Sequence, residues 1–467
     1  MRLEISSTLL TIVLASSQQQ QDLSGYAWHF TDVHLDPLYA VNSSIFHYCN
    51  GNITDNASQA CGIFGNSQGN CATPRTLYDS AVEFMDTYRS DADVVLFTGD
   101  FTQAGLSSEI AVYETIAEGK SLSLLLNHTQ PNSYFTHHIA WQRLADGYPS
   151  MKRIYGCVGN HDKYPGDVFP YPYDGYRVLA SIWQPYLDED AIRTVIDGGY
   201  YGMNVNSNLR VVSINTNYLS TLNPLVANTS NPAHHFGFKM MDWFKNELKN
   251  ASESSTKVWI LGHIPFEAWL PEHLSRYQHL ISKYSHVVEG QFYGHDHEDY
   301  VRLTRDGQDQ NATGVVFIGP SLTEGYPSEN PGIRLYKYNT SSFSVIGART
   351  FYTDLVQANE DKNVEWKLEY DMLEEFEMLK DLSPRSFERL YLEMLDNATM
   401  GNYDTFKKYL SLRRRKYDGP SSGPPVCDPD TAGVSCVKSY VCDVLYANLT
   451  SSVSSFCSSS SFSSSAE

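Results

Sequence analysis

Basic residues are scarce in this chain, and no apolar run is long enough to span a bilayer. The 467 residues include 34 lysines and arginines against 54 aspartates and glutamates, a formal net charge of −20. Such a surface repels phosphate backbones, so a nucleic-acid polymer is excluded as the main partner, and anionic lipid finds no basic patch. The cysteines form no Cys-x-x-Cys pairs, which argues against a zinc finger. No internal repeat is present.

The N-terminus carries a short apolar stretch of the kind found in secretory signals. Arg2 precedes the apolar run 9–15, and small residues follow at 15–17, so we expect residues 1–17 to be a signal peptide. Ten Asn-x-Ser/Thr sequons predict N-glycosylation. They begin at Asn42, Asn52, Asn56, Asn127, Asn228, Asn250, Asn311, Asn339, Asn397 and Asn448. These features predict a secreted protein or one of a lysosome-like compartment.

Eight cysteines fit the oxidising compartment that a signal peptide implies. The last four are expected to pair locally, and one disulfide is favoured in the first cysteine cluster. The expected disulfides are Cys49–Cys71, Cys427–Cys436 and Cys442–Cys457. Cys157 lies in an apolar run, and two alternatives stay open for it. It is either a buried free thiol or the partner of Cys61.

Short apolar runs alternate with helical patterns from Tyr26 to about residue 350. The runs lack a strict apolar–polar alternation, which predicts strands that are covered on both faces. The runs are 27–30, 94–97, 154–158, 211–214, 258–261, 292–293 and 315–318. The helical patterns between them include 77–88, 176–186 and 240–248. This order predicts an α/β sandwich.

The pattern changes near residue 363. Apolar residues from Trp366 to Leu379 have helical spacing, Ser383-Pro384 introduces a second helix, and a third is expected near 403–412. We therefore expect a small helical, disulfide-containing domain at the C-terminal end, followed by a disordered Ser-rich tail. The expected divisions are a catalytic domain at 22–355, the helical domain at 356–457 and the tail at 458–467.

Metal-ligand side chains follow five of the apolar runs, at the edge where α/β sheets place their ligands. The motifs are Asp32-Val33-His34, Gly99-Asp100, Gly159-Asn160-His161-Asp162, Gly262-His263 and Gly294-His295-Asp296-His297. Taken alone, Asp-x-His is more often a loop, Gly-Asp is usually a turn, and Gly-His-Asp-His could be a turn with surface histidines, whereas Gly-Asn-His-Asp is moderately specific. Together, the carboxylates, amide and imidazoles predict a site for two divalent cations. Phosphoester hydrolysis uses two such cations, about 3.5–4 Å apart, to activate a hydroxide and neutralise the phosphoryl oxygens.

The motifs resemble those of the calcineurin-like metallophosphoesterases, and further segments are similar to the acid sphingomyelinase-like phosphodiesterases. Those segments are 30–37 (FTDVHLDP), 214–217 (INTN), 290–295 (GQFYGH), 330–335 (NPGIRL), 366–370 (WKLEY) and the Cys-rich end. The resemblance covers nearly the whole mature chain. It implies a four-layer αββα sandwich with two zinc ions and a helical C-terminal domain.

The resemblance also implies a role for each motif residue. One ion would be held by Asp32, His34, Asp100 and His297, and the other by Asp100, Asn160, His263 and His295. His161 matches a family histidine that contacts the phosphate without binding metal. As a cation it would stabilise the transition state or protonate the leaving oxygen. A histidine that only packs there stays the alternative.

Three features depart from the family pattern. Ala104 stands where close relatives have a second histidine, so His161 acts alone, another side chain substitutes, or the leaving group needs less help. His137 and His138 are candidates by residue type only. Asp296 replaces a threonine and would put negative charge beside the metals, raising the basicity of the ligands. About ten mature residues precede the first strand, which leaves no room for a lipid-presenting saposin domain.

These features predict a secreted two-zinc phosphodiesterase for nucleotide-like or phosphocholine-type substrates, including phosphoanhydrides. Soluble substrates need no presenting domain, and the aromatic content of 13% could supply a base-stacking wall or a choline cage. A sphingomyelinase that releases phosphocholine and ceramide is the alternative, and a phosphomonoesterase or polyphosphatase a more distant one. A non-catalytic secreted binding glycoprotein is disfavoured because all seven ligands are present. We expect a monomer, and manganese or iron could replace zinc.

Overall fold

The computed structural model describes residues 23–51, 53–54, 56, 59–66, 71–102, 153–163, 165–305, 311–323, 329–415 and 427–446. Several predictions fall outside these residues. They concern the signal peptide, Ala104, His137, His138, Cys457, the sequons at Asn52, Asn127 and Asn448, and the Ser-rich tail.

Twelve strands of the described residues form two six-stranded sheets. The strands are β1 (Ser24–Phe30), β2 (Val94–Phe97), β3 (Ile154–Gly156), β4 (Tyr201–Asn204), β5 (Leu209–Ser213), β6 (Lys257–Leu261), β7 (Val288–Tyr293), β8 (Tyr300–Thr304), β9 (Gly314–Ile318), β10 (Gly332–Asn339), β11 (Val345–Tyr352) and β12 (Lys367–Asp371). The first sheet has the order β12-β11-β10-β1-β2-β3, and the second has β4-β5-β6-β7-β9-β8. Each sheet is mixed, with parallel pairing among β1, β2 and β3 and among β5, β6, β7 and β9.

Helices cover the outer faces of the two sheets and form most of the C-terminal region. They are α1 (Arg75–Arg89), α2 (Gly175–Trp183), α3 (Glu189–Gly198), α4 (Pro232–Ser254), α5 (Pro271–Lys283), α6 (Leu355–Asp361), α7 (Met372–Glu375), α8 (Pro384–Thr399), α9 (Asp404–Arg413), α10 (Pro429–Ala432) and α11 (Val434–Tyr446). None of these described helices is long and apolar enough to cross a membrane. Helices α8 and α11 pack against each other and against β8.

The side chains of β1 and β7 show how the four layers stack. In β1, the Trp28 ring lies 6.1 Å from Phe84 of α1, whereas the neighbouring His29 ring lies 5.9 Å from Phe292 of the second sheet. On the other side of β7, Gln291 accepts a hydrogen bond from Tyr277 of α5. Because successive strand residues point to opposite faces, the layers run α1, first sheet, second sheet, α5. The predicted αββα sandwich is confirmed.

All seven predicted strands are present, but five further strands escaped prediction: β4, β8, β10, β11 and β12. The helix expected from Trp366 to Leu379 is wrong. Residues 367–371 form β12, which pairs antiparallel with β11, and only the short α7 follows. The spacing of apolar residues suited a helix, but pairing with the preceding strand β11 decided the structure. The helices expected after Ser383 and near 403–412 are confirmed as α8 and α9.

The disulfides Cys49–Cys71 and Cys427–Cys436 are confirmed. Cys442 is disulfide-bonded, while its expected partner lies outside the described residues. Cys61 and Cys157 are both buried free thiols. The alternative disulfide between them is therefore wrong, and the free-thiol alternative for Cys157 is correct.

Candidate metal centre

The seven predicted ligands converge where the parallel strands of the two sheets end. The ligand atoms of Asp32, His34 and His297 lie within 4.8 Å of one another, and so do those of Asp100, His263 and His295. Asn160 belongs with the second set, because its Oδ1 lies 2.9 Å from His263 Nε2 and 2.9 Å from His295 Nδ1. We call Asp32, His34 and His297 the Asp32 group. We call Asp100, Asn160, His263 and His295 the Asp100 group.

Asp100 lies between the two groups. Its Oδ2 is 3.2 Å from His263 Nε2 and 3.5 Å from His34 Nε2. Its Oδ1 accepts a hydrogen bond of 2.8 Å from the backbone N–H of His161. One oxygen of this carboxylate therefore faces ligands of both groups, which is the arrangement that a bridging ligand requires.

The backbone at the ligands adopts a conformation that side chains other than glycine rarely take. Five ligands have positive φ angles: Asp32 (48°), His34 (44°), Asp100 (55°), His295 (76°) and His297 (63°). Such residues persist only where the surrounding structure enforces them, and they cluster at functional sites. At Gly159, a Cβ would collide with the Asp100 carboxylate, so glycine permits the two ligand loops to interlock.

Asp162 holds two of these loops together. Its buried carboxylate accepts hydrogen bonds from the backbone N–H groups of Asp100 (3.0 Å), Phe101 (2.8 Å) and Gly159 (2.8 Å). Asp167 plays a similar part for Asn160, because its Oδ1 accepts a hydrogen bond of 3.0 Å from Asn160 Nδ2. This contact turns the amide oxygen towards the histidines. Neither aspartate was predicted to have a role, although Asp162 stands within the Gly-Asn-His-Asp motif.

Backbone carbonyls orient two of the ligand imidazoles. His34 Nδ1 lies 2.9 Å from the carbonyl oxygen of Thr102, and His263 Nδ1 lies 2.6 Å from that of Thr98. An Nδ1–H donated to a carbonyl directs Nε2 into the site, where the deprotonated nitrogen can bind a metal. His297 differs, because among the described residues its buried Nδ1 has no hydrogen-bond partner.

Asp32 offers a buried oxygen that lacks a hydrogen bond. Its Oδ2 accepts from Thr31 Oγ1 and from the His295 backbone N–H, but Oδ1 has no such partner among the described residues. Oδ1 lies 3.4 Å from His297 Nε2 and 3.9 Å from His34 Nε2. Buried polar atoms are nearly always satisfied, so an open carboxylate oxygen among imidazoles suits a cation. The mixed carboxylate, amide and imidazole donors fit two borderline divalent ions.

The protonation states of the ligands follow from burial and from the carboxylates. Burial lowers the pKa of His34 to about 4 and that of His295 to about 3, so both rings are neutral. Burial also acts to lower the pKa of His263, but Asp100 and Asp32 outweigh it and raise the value to about 10. For Asp100, burial favours the neutral acid, yet His263 and His161 hold its pKa well below the usual range.

His161 and Asp296 lie next to the ligands in the chain. The His161 ring is partly exposed, with its centroid 5.4 Å from that of His34, so it lies beside the Asp32 group. The Asp296 carboxylate accepts a hydrogen bond from the Tyr300 hydroxyl. Burial raises the pKa of Asp296 to about 6. Its main described partner is thus a phenol rather than a ligand imidazole.

Two family models match the chain. The model described as calcineurin-like phosphoesterase matches residues 26–299, and that described as acid sphingomyelin phosphodiesterase C-terminal region matches residues 314–459. Similar proteins carry related names. The human cyclic GMP-AMP phosphodiesterase SMPDL3A is 28% identical over 90% of this chain and 89% of its own length. The mouse protein of the same name is 30% identical over 86% and 87%. A Dictyostelium discoideum protein named sphingomyelinase phosphodiesterase C is 30% identical over 79% and 82%.

Proposed function

This chain belongs to the acid sphingomyelinase-like phosphodiesterases of the calcineurin-like phosphoesterase family, and we propose that it is a secreted two-zinc phosphodiesterase of nucleotide-like substrates. One observation carries the proposal. Seven ligand side chains from five loops meet in two groups, and the Asp100 carboxylate faces both of them. A glycoprotein that only bound a small molecule would not need two adjacent groups of metal-binding side chains.

The chain's own residues divide the work at this site. Two zinc ions held by the Asp32 group and the Asp100 group would lower the pKa of an attacking water and neutralise charge on the phosphoryl oxygens. The neutral His34 and His295 rings are ready to donate lone pairs to a metal. His161 lies beside the Asp32 group with a partly exposed ring. We propose that it contacts the phosphoryl group and protonates the leaving oxygen.

The names of similar proteins guide the choice of substrate. The human and mouse relatives are named cyclic GMP-AMP phosphodiesterases, which favours a nucleotide phosphodiester. The Dictyostelium relative is named a sphingomyelinase phosphodiesterase, which keeps sphingomyelin as the second candidate. Both substrates contain a phosphodiester, so the same metals could act on either bond.

A substrate panel tests the proposal. Purified, zinc-loaded protein is given cyclic GMP-AMP, nucleotide di- and triphosphates, CDP-choline, and sphingomyelin in liposomes, and each product is identified. We expect turnover of nucleotide-type substrates to exceed that of sphingomyelin. Release of phosphocholine and ceramide as the main reaction would favour the sphingomyelinase alternative. An absence of turnover in protein that carries two metals would favour the binding glycoprotein.

We further propose that the chain is exported and glycosylated. The disulfides support this, as do the seven described sequon asparagines, which are exposed or partly exposed. Expression in a eukaryotic host should give protein in the medium that begins after residue 17 and loses mass on treatment with an N-glycosidase. Retention inside the cell with an intact N-terminus would contradict the proposal.

A further inference from the structure

We propose that Arg415, which follows helix α9 in the C-terminal region, is a positioning residue for the metal ligand His297. The proposal rests on the two-metal function above and explains how one half of that site is held. It makes the C-terminal region part of the metal centre rather than a separate support.

His297 lies in the segment 294–299 between β7 and β8, which we call the His297 loop. Its backbone is left-handed, with φ of 63°, and among the described residues its buried Nδ1 accepts and donates no hydrogen bond. The ring therefore lacks the carbonyl contact that orients His34 and His263. Its direction depends instead on where the backbone of the loop is held.

The Arg415 guanidinium holds that backbone. Nη1 donates to the carbonyl oxygen of His297 at 2.9 Å, and Nη2 donates to Ser321 Oγ at 3.1 Å. Nε donates to the carbonyl oxygen of Asn330, and Nη2 forms an ion pair of 2.5 Å with Glu329. The backbone N–H of Ser321 donates to the same His297 carbonyl at 3.0 Å. The fully buried guanidinium thus joins the loop to two other segments at once.

Arg413 holds the other side of the loop. Its guanidinium pairs with Glu298 and lies 4.2 Å from the centre of the Tyr300 ring. Its carbonyl oxygen accepts a hydrogen bond of 3.1 Å from the backbone N–H of Asp299. His297 and the two residues that follow it are therefore tied to the segment at the end of α9. This supports a role for the segment 413–415 in fixing the loop.

The chemistry of Arg415 suits positioning better than simple packing. A buried ion pair contributes little to stability compared with apolar side chains of similar volume. A guanidinium, however, presents five donors in a rigid plane, and here they reach three backbone carbonyls, a hydroxyl and a carboxylate. A lysine ammonium could keep the charge opposite Glu329 but could not match this set of contacts.

The expected effect is confined to one ion. Without Arg415 the His297 loop loosens, so the Asp32 group should lose affinity for zinc by about 10- to 100-fold, as is typical when a partner of a ligand is removed. The Asp100 group should keep its ion, because three of its four ligands lie outside the loop and are held by Thr98, Asp162 and Asp167. The fourth, His295, lies in the loop, but its backbone N–H is held by the Asp32 carboxylate. Excess zinc should restore the rate, since the catalytic groups remain in place.

Zinc titration of the full chain tests the proposal. The variants are Arg415→Lys, which keeps the positive charge, and the double variant Arg415→Met/Glu329→Gln, which removes both buried charges. The matched control is Arg305→Met/Glu388→Gln, because this pair, at 2.6 Å, is also buried and joins the residue after β8 to α8. Each protein is stripped of metal, its fold is checked by circular dichroism and thermal unfolding, and zinc is titrated against competing chelators.

Wild type should bind two zinc ions, and each Arg415 variant should bind one as tightly as wild type and one more weakly. The control should bind both normally even if its melting temperature falls. Two wild-type affinities in the Arg415 variants, an equal loss of both ions, or failure of both Arg415 variants to fold would overturn the proposal. Wild type that binds no pair of metals would instead refute the proposed function.

Discussion

The Asp32 group and the Asp100 group use the same kinds of ligand atoms but are held in different ways. In the Asp100 group, the Thr98 carbonyl orients His263, Asp167 orients Asn160, and Asp162 fixes the backbone at Asp100. All of these contacts lie within the sandwich. In the Asp32 group, His297 has an open Nδ1 and depends on backbone contacts from Arg415 and Ser321.

This difference predicts two unequal metal sites. A ligand side chain loses less conformational entropy on metal binding when its other polar atom is already hydrogen-bonded. The Asp100 group should therefore bind the tighter ion. The side chain of His263 is fully buried, whereas that of His297 is 12% exposed, which also favours easier exchange at the Asp32 group. The five predictions below examine the two groups and the residues beside them, beginning with the largest effect.

Asp100→Asn removes the carboxylate that faces both groups. We expect both metal affinities to fall and kcat/KM to drop by at least about a thousandfold, since a shared metal ligand accounts for several kcal/mol of barrier lowering. Metal analysis and steady-state kinetics measure the effect, and the circular dichroism spectrum of the metal-free protein serves as the control for folding. Near-normal activity in a folded variant would refute the bridging role.

His263→Ala and His297→Ala should separate the two groups. Each variant loses one imidazole, and the remaining ion should be the one held by the other group. Because the Asp100 group is expected to bind more tightly, His297→Ala should retain one tight zinc, whereas His263→Ala should retain only a weak one. Chelator competition measures both affinities. If His263→Ala instead retained the tighter zinc, the Asp32 group would be the tighter of the two sites.

Zinc binding should release protons. Burial opposes the charged form of His297 as it does of His263, but Asp32 raises the pKa of His297, and the pKa of His263 is about 10. His263 is therefore protonated in the metal-free protein at neutral pH, and the raised pKa of His297 favours its protonated form, so loading two ions should release at least about one proton. Calorimetry in buffers of different ionisation enthalpy counts them. A count near zero would show that both rings are already neutral.

The same shift fixes the sign of one pH effect on stability. The pKa of His263 is 6.5 in the unfolded chain and is raised on folding, so the folded protein binds this proton more tightly. The resulting stabilisation of metal-free protein is fully present below pH 6.5 and is lost as the pH rises through about 10. Denaturant unfolding at several pH values checks this, with His263→Ala as the control.

Asp296→Thr should have the smallest effect. The Asp296 carboxylate accepts from the Tyr300 hydroxyl, so its replacement removes a contact at the edge of the His297 loop and no ligand. We expect kcat/KM to change by less than about tenfold, or about 1.4 kcal/mol. Steady-state kinetics at saturating zinc measure this change in kcat/KM. A larger loss would mean that Asp296 acts on the metals directly, as the sequence analysis expected.

The sequence was sufficient for the strands that lead to the metal ligands. The runs before Asp32, Asp100, Asn160, His263 and His295 are short, apolar and followed by glycine or polar turns, and each run became a strand. Strands β10, β11 and β12 were missed because their pattern is less uniform, and β10 also pairs with β1 at the opposite end of the chain. Tyr370 illustrates this, since a helical spacing placed it in a helix, but it pairs opposite Thr350 in an antiparallel sheet.

The residues that hold the ligand loops in place could not be predicted from the sequence. Asp162 fixes a loop 61 residues away in the chain, and Arg415 holds a carbonyl 118 residues away. Buried polar side chains of this kind have no periodicity and no fixed spacing from the residues they hold. Only the folded structure, which brings these segments together, reveals them.

The amino-acid sequence by itself determined the chemistry of the centre, because residue type fixes which atoms can bind a metal and apolar runs fix where strands end. The tertiary structure decided how the ligands divide into two groups and which contacts hold each group. The physical reason is distance. A ligand's identity is local, but the direction of its lone pair is set by side chains that folding brings from remote parts of the chain.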